Sequence, residues 1–479
     1  MTLAPYSPPP RPSPSGGEGV SSALRTVPWP SVPDALMDTV NTLVRVIREY
    51  RQAADVKAST RDEERLYDLV HDLIDQAIEQ PGRFRLHGVT ARRLATDEQF
   101  RVEVTRGTMA QASWLYPLSR LIYLLSGVEE IHVNRWDKWI LTTSTDRMAL
   151  DGDGNPFQSD ADVLTFFKEK VLTMPGFKGY RQLSEGHPAA EGNLGRVLRL
   201  CIIQEPAVSG GTSVVATVRL PGAANMHALA EYVQRGVMPR GVADFLDACV
   251  RAKANIMIAG GTATGKTTLL RVLCGMVPRR EQLLVIEDSA ELNLDGDRGD
   301  GQEWHPQVQH LCTVPPSYGT EAGITMRDLA KLALRMRPNR IILGEARDAA
   351  MAEVCLVAST GHDGSMVTVH ADDAFQGLKR VAEYVMKSPD YAGNSNAYEL
   401  AELAVHRAFN VVVHLVQDSD GVRRVSGVLA LGAERGHTAW IYRRDLEGRL
   451  ERQVRHVGDL PPGLRRKLGS WLGPEVPPV

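Results

Sequence analysis

From Asp34 the apolar positions Leu36, Val40, Leu43, Val44 and Ile47 recur at steps of three and four, and Leu66, Leu69, Val70, Leu73, Ile74 and Ile78 repeat the pattern. That spacing puts one apolar stripe on each of two helices, so residues 34–114 are expected to hold a helical hairpin that packs on a partner surface. Between 115 and 220 the rhythm changes. GVEEIHVN (127–134) and KWILTT (138–143) flank Arg135-Trp136-Asp137, while VLRLCII (197–203) and SVVATVRL (213–220) flank Ser209-Gly210-Gly211. Both pairs read as hairpins of an α+β domain. Pro221-Gly222 opens a connection, expected to be an interdomain linker over 221–238. After it, NIMIAG (255–260), QLLVIED (282–288), RIILGE (340–345), SMVTVH (365–370) and NVVVHLV (410–416) alternate with helical segments. Short β-branched runs without polar alternation are strands buried on both faces, so residues 239–416 are expected to form a mostly parallel, helix-covered α/β sheet.

Composition adds limits. The 479 residues carry 55 basic and 58 acidic side chains, a net charge of −3, which excludes a histone-like binder. No basic stripe is interleaved with aromatics, so direct nucleic-acid contact is not expected. No run approaches the ~20 apolar residues of a membrane span, and no secretory signal is visible. Five scattered cysteines without a C-x-x-C pair fit reduced thiols; a cytoplasmic protein is expected. Nine of the 28 prolines fall within residues 1–33, expected to be a disordered tail. Residues 421–479 hold 11 basic and 6 acidic side chains, read as a solvated face rather than a docking patch. The stretch 417–479 is expected to be a C-terminal extension beyond the sheet.

The chemistry concentrates on strand ends. Gly260-Gly261-Thr262-Ala263-Thr264-Gly265-Lys266-Thr267 matches G-x-x-x-x-G-K-[ST] between a buried strand and a helix. Glycines let successive N–H groups converge on phosphate oxygens, and the helix N-terminus adds partial positive charge. Lys266 is expected to bridge the β- and γ-phosphates of ATP, Thr267 to ligate Mg²⁺, and Thr268 to cap the helix or meet the α-phosphate. Two further strands end in acids, Glu287-Asp288 and Glu345, expected at the carboxyl rim where ligands bind open α/β sheets. His362 and His370 are spaced as if on one face of one strand, to sense phosphate or to relay to a neighbouring subunit; metal ligation by them is less favoured for want of a third ligand.

GGTATGKTTLL, VIEDSAEL, ITMRDLAKLALRMRPNRIILGEARD and STGHDGSMVTVHAD, in that order, make the chain resemble the secretion traffic ATPases of the type II/type IV superfamily. Within it the resemblance is closest to the Tad-pilus (CpaF-type) branch. Upstream, GVEEIHVNRWDKWIL and GRVLRLCIIQEP followed by VATVRLP resemble the family's N-terminal domain. The resemblance implies a RecA-like P-loop domain, a homohexameric ring with ATP between N-terminal and RecA-like domains, and an inner-membrane platform protein as partner, the ring lying peripherally on the inner face of the membrane. It implies that Glu345 polarises water, that Glu287 and Asp288 lie near Mg²⁺ or the water, and that Arg196, Arg199 and Arg219 reach the phosphates. Arg327, Arg335 and Arg337 fall where the family places subunit contacts or phosphate sensing. This chain departs at Ala263-Thr264, where the family usually has Gly-Ser. The function implied is an ATP-hydrolysing motor for pilin or protein export; a conjugation-type ATPase and a non-hydrolysing assembly scaffold are the alternatives.

Overall fold

The structure is a computed structural model that describes residues 24–143, 146–195, 197–220, 226–288, 291–296, 303–314, 323–345, 348–359, 361–445 and 447–479. The chain divides into two compact units, Thr2–Ala223 and Ala224–Val479.

The first unit opens with a short strand β1 (Arg25–Val27), then α1 (Asp34–Ala53), α2 (Thr60–Glu79), α3 (Gly88–Thr96), α4 (Glu98–Ala112) and α5 (Ser119–Tyr123). The expected tail differs on its described part: Trp29 and Val32 are buried, and the Arg120 guanidinium donates to Pro30 O at 2.7 Å. Trp29, Val32 and the Pro30 carbonyl hold this segment against the fold rather than in solvent. The two-helix hairpin differs too. The stripes of α1 and α2 share one core with Phe100, Val104 and Met109 of α4. At Gly107 a Cβ would stand 3.0 Å from Val40, so the missing side chain lets α1 and α4 approach. Buried Thr105 and Thr108 interrupt the apolar pattern of α4, which hides it from a periodicity reading.

An eight-stranded sheet follows, built from β1 with β2 (Val128–Arg135), β3 (Lys138–Thr143), β4 (Arg147–Leu150), β5 (Phe177–Tyr180), β6 (Ala189–Leu194), β7 (Leu198–Gln204) and β8 (Val214–Arg219) in the order β1-β4-β3-β2-β8-β7-β6-β5. The β2–β3 and β7–β8 pairs are antiparallel, as the patterns at 127–143 and 197–220 predict. One face is covered by α6 (Asp160–Phe166), which runs into a π-helical turn at Phe167–Val171, over Trp29, Trp139 and Phe157.

The second unit contains α7 (Leu229–Gln234), α8 (Arg240–Arg251), β9 (Ile256–Gly260), α9 (Lys266–Gly275), β10 (Leu283–Glu287), β11 (Val308–Cys312), α10 (Met326–Met336), β12 (Arg340–Leu343), α11 (Met351–Ser359), β13 (Met366–His370), α12 (Ala374–Met386), α13 (Ala397–Ala408) and β14 (Val411–Gln417). It is an α/β fold. Strands β9 to β14 run parallel in the order β11-β10-β12-β13-β9-β14, with separate apolar cores on the two faces. Every residue of β9 and β10 is buried, which is why these strands carry no alternation.

The sheet does not stop at 416. The chain reverses and adds β15 (Arg423–Leu431), β16 (Thr438–Arg444) and β17 (Leu450–Arg452) antiparallel to the same edge. The expected extension is therefore part of the fold: α14 (Pro462–Leu468) buries Leu464 and Leu468, and Val476 is fully buried near the chain's end. Its charges are drawn into structure, Arg424 and Arg444 both pairing with Asp418 at 2.6 and 2.7 Å.

Candidate nucleotide site

Gly260 ends β9 and lies level with His370 of β13 on one side and Leu415 of β14 on the other. A Cβ on Gly260 would fall 2.6 Å from Leu415 O and from Thr264 Oγ1, so only glycine lets the chain turn there. The loop closes through two positive-φ residues, Ala263 at +60° and Gly265 at +92°. Alanine at the first of these carries strain that glycine would not. Gly265 then starts α9 with no side-chain cap, and the first turn holds no acid. A helix start so arranged leaves its N–H groups and dipole for an anion.

Lys266 is buried at the first position of α9. Its ammonium donates to Gly261 O at 2.6 Å and stands 3.3 Å from His370 Nδ1. The other ring nitrogen, Nε2, lies 3.1 Å from Glu345 Oε1. An ammonium can only donate, so Nδ1 accepts, and a neutral ring then carries its proton on Nε2, facing the carboxylate. Lys266, His370 and Glu345 thus form one line across three elements at the carboxyl rim. Thr368 Oγ donates to Gly344 O, tying β13 to the residue before Glu345.

Glu287 and Asp288 are placed differently. Glu287 Oε1 accepts from the N–H groups of Glu291 and Leu292 at 3.1 and 3.0 Å, while Oε2 is buried without a hydrogen bond among the described residues, 3.9 Å from His310 Nδ1. A Cβ on Gly344 would meet Glu287 Cγ at 2.8 Å, so the small residue admits this side chain beside the end of β12. Asp288 Oδ1 accepts from Thr313 Oγ at 3.2 Å. Among the described residues no cluster of three His, Cys, Asp or Glu side chains is arranged to hold a metal ion. A Mg²⁺ brought with a nucleotide needs only one or two protein oxygens, and Thr267 supplies a hydroxyl in the first turn of α9.

The two histidines are not on one strand face. β13 begins only at Met366, and His362 lies in the turn before it, between Gly361 and Gly364 at φ +109° and +86°. That turn is at the opposite, amino edge of the sheet. Asn255 Oδ1 accepts from Gly364 and Ser365 N–H at 2.6 and 3.0 Å, and Lys467 pairs with Asp363 at 2.6 Å. The left-handed glycines break the extended run that the even spacing assumed.

Residues 195–432 match the model of a family described as Type II/IV secretion system protein. That part of the chain is similar to this family. A Mycobacterium tuberculosis protein named for conjugal transfer is 28% identical over 318 residues, covering 63% of this chain and 84% of its own length. PtlH, a type IV secretion system protein of Bordetella pertussis, is 36% identical over 149 residues, 31% of this chain and 41% of its own. The VirB11 ATPase structure of the Brucella suis type IV secretion system is similar at 24% identity and a TM-score of 0.34, over 66% of this chain and 92% of that one.

The remaining sequence-expected residues fall in several places. Arg196 lies outside the described residues. Arg199 and Arg219 stand directly opposite each other on β7 and β8, and Arg219 also pairs with Glu130 at 2.8 Å. Like charges facing across a ladder are unfavourable unless an anion offsets them. Arg327 binds buried Glu353 at 2.6 Å, which joins α10 to α11. Arg335 and Arg337 are exposed at the end of α10, on the edge away from the P-loop.

His414 carried no signal in the sequence. It lies on β14 level with Ala259, its Nδ1 2.5 Å from Ser426 Oγ and its Nε2 3.3 Å from Ala371 O. Burial holds its pKa below the usual histidine value, so the ring stays neutral and donates from Nε2 to the chain leaving β13.

Proposed function

We propose that the protein is an ATP-hydrolysing motor subunit of a secretion or pilus-assembly machine of the Tad type, acting as a homohexamer on an inner-membrane platform protein and exporting pilin or protein. No helix among the described residues is long and apolar enough to cross a membrane, and the reading places the ring at the cytoplasmic face through its partners. The observation that carries it is the Lys266–His370–Glu345 line beside the P-loop.

In this reading the P-loop amides and the start of α9 take the β-phosphate. Lys266 exchanges Gly261 O for the β- and γ-oxygens and neutralises charge as the terminal phosphoryl group departs. Glu345, oriented by the Nε2 proton of His370, holds the attacking water and takes up its proton. Glu287 holds the backbone at Glu291 and Leu292 and is the second acid of the rim. A magnesium ion, when bound with the nucleotide, supplies further charge neutralisation, with Thr267 as its protein ligand and Asp288 near its water shell. Arg199 and Arg219, with Arg196, are the cations proposed to meet the phosphates from the first unit.

A conjugation-type secretion ATPase is the second reading, favoured by the relative named for conjugal transfer, which matches over 63% of this chain. Steady-state ATPase measurements on Lys266→Ala and Glu345→Gln test the enzyme. Lys266→Ala should lose nucleotide affinity, whereas Glu345→Gln should bind ATP and turn over ~10²–10⁴-fold more slowly. Turnover like the wild type in both variants refutes the assignment.

A further inference from the structure

The strand added beyond the expected sheet brings an arginine to the P-loop. The β14–β15 hairpin turns at the same carboxyl rim where β9 ends, since Leu415 is level with Gly260. Arg423 opens β15, and its Cδ lies 3.6 Å from the point a Cβ would occupy on Gly265, the residue that starts α9. On the same side lies Tyr232 of α7, 2% exposed, whose buried phenol oxygen has no hydrogen-bond partner among the described residues. Arg423 is near enough for its charge to act on that phenol, as is Arg271 of α9. Arg271 is itself fixed by donating to Leu292 O at 2.7 Å.

These groups lie across the loop from the chemistry. Lys266 meets His370 and Glu345 on the β13 side, whereas Arg423 stands on the β14–β15 side. A nucleotide with its terminal phosphate against Lys266 and Glu345 directs its nucleoside end away from them. We propose that Arg423 is a nucleotide-binding residue that takes the ribose end of a nucleoside di- or triphosphate, with the Tyr232 hydroxyl completing that wall. A guanidinium suits this role because its planar fork donates to several oxygens at once. The inference rests on the nucleotide reading above and adds to it a determinant of affinity that is separate from hydrolysis.

The test uses the full chain and titrates Mg-ATP, Mg-ADP and inorganic tripolyphosphate by calorimetry, with steady-state kinetics alongside. In Arg423→Met the affinities for ATP and ADP should fall roughly ten- to hundredfold, the worth of one charge-assisted hydrogen bond. The apparent KM should rise accordingly, with kcat changed by less than about threefold. Tripolyphosphate, which lacks a nucleoside, should bind wild type and variant alike, and Arg423→Lys should recover part of the loss. Unchanged ATP affinity in both variants overturns the inference, as does a loss confined to kcat or a loss shared by tripolyphosphate. Should Arg423→Met fail to fold, Arg423→Lys with wild-type affinity overturns it equally. A wild-type protein that binds no nucleotide refutes the nucleotide reading and this inference together, whereas wild-type binding untouched at Arg423 refutes this inference alone.

Discussion

Replacing His370 by alanine separates positioning from binding at the proposed site. The ring stands 3.3 Å from Lys266 Nζ and 3.1 Å from Glu345 Oε1. Its side chain is 37% exposed and that of Glu345 24%, so each contact is partly screened and worth about 1 kcal/mol at most. Losing the contact to Glu345 withdraws ~1 kcal/mol of orientation from the water-holding carboxylate, which corresponds to a kcat lower by roughly fivefold. The P-loop amides and Lys266 remain, so ATP affinity should move by less than about threefold. His370→Gln, which keeps an N–H donor, should fall between alanine and wild type. The assay is coupled-enzyme turnover at saturating Mg-ATP, paired with equilibrium binding on the same preparations and a thermal melt to show equal folding. Turnover within about threefold of wild type for His370→Ala, or a loss of affinity that accounts for the whole effect, refutes the role given to the Nε2 proton.

Two further predictions concern stability. Arg340 is fully buried and donates to Glu281 at 2.8 Å and to Val250 O at 2.8 Å, so Arg340→Met should cost ~3 kcal/mol by leaving a buried carboxylate with only Lys253 beside it; an unchanged urea midpoint refutes this. His71, His305 and His414 have pKa values lowered by burial, so the native state binds fewer protons than the unfolded chain. Their contribution is present above the ordinary histidine value and is lost as pH falls below about 6.5. Chemical denaturation at pH 7.5 and 5.5 should show lower stability at the acid pH, and equal stability refutes the linkage.

The parallel strands and the P-loop were legible because both are written in continuous sequence: five-residue buried runs admit no polar alternation, and the loop's spacing carries its own chemistry. What depended on tertiary contact was not. Counting charges over 421–479 suggested a solvated face, yet Arg424 and Arg444 are balanced by Asp418 within the hairpin, so the net charge concealed three strands. Proline density at 1–33 likewise concealed Trp29, which stacks edge-on against Trp139 at 5.1 Å. Even spacing of His362 and His370 presupposed an extended chain that Gly361 and Gly364 interrupt. At Glu287 the pattern gave an acid at a strand end without distinguishing a ligand from a backbone cap, and the carboxylate does the second through Oε1.

Strand order explains why Glu345 is joined to the P-loop lysine through a histidine. β13 lies between β12 and β9, with Val367 level with Leu343 on one side and His370 level with Gly260 on the other. Glu345, two residues past Leu343, therefore emerges within one residue step of His370, across a gap of ~4.8 Å between neighbouring strands. An imidazole fills that gap and reaches Lys266 on its far side. The position of the ring is set by a strand buried from Met366 to Val369 and pinned at its other end by Asn255. A side chain so mounted has little freedom to wander, which suits a group whose task is to aim a carboxylate. Glu287 stands on β10, one strand farther out, and a carboxylate already bound to two backbone N–H groups would have to release them to meet a phosphate. Glu345 instead faces His370 Nε2 at 3.1 Å, and in the proposed function that makes it the acid of the two that holds water.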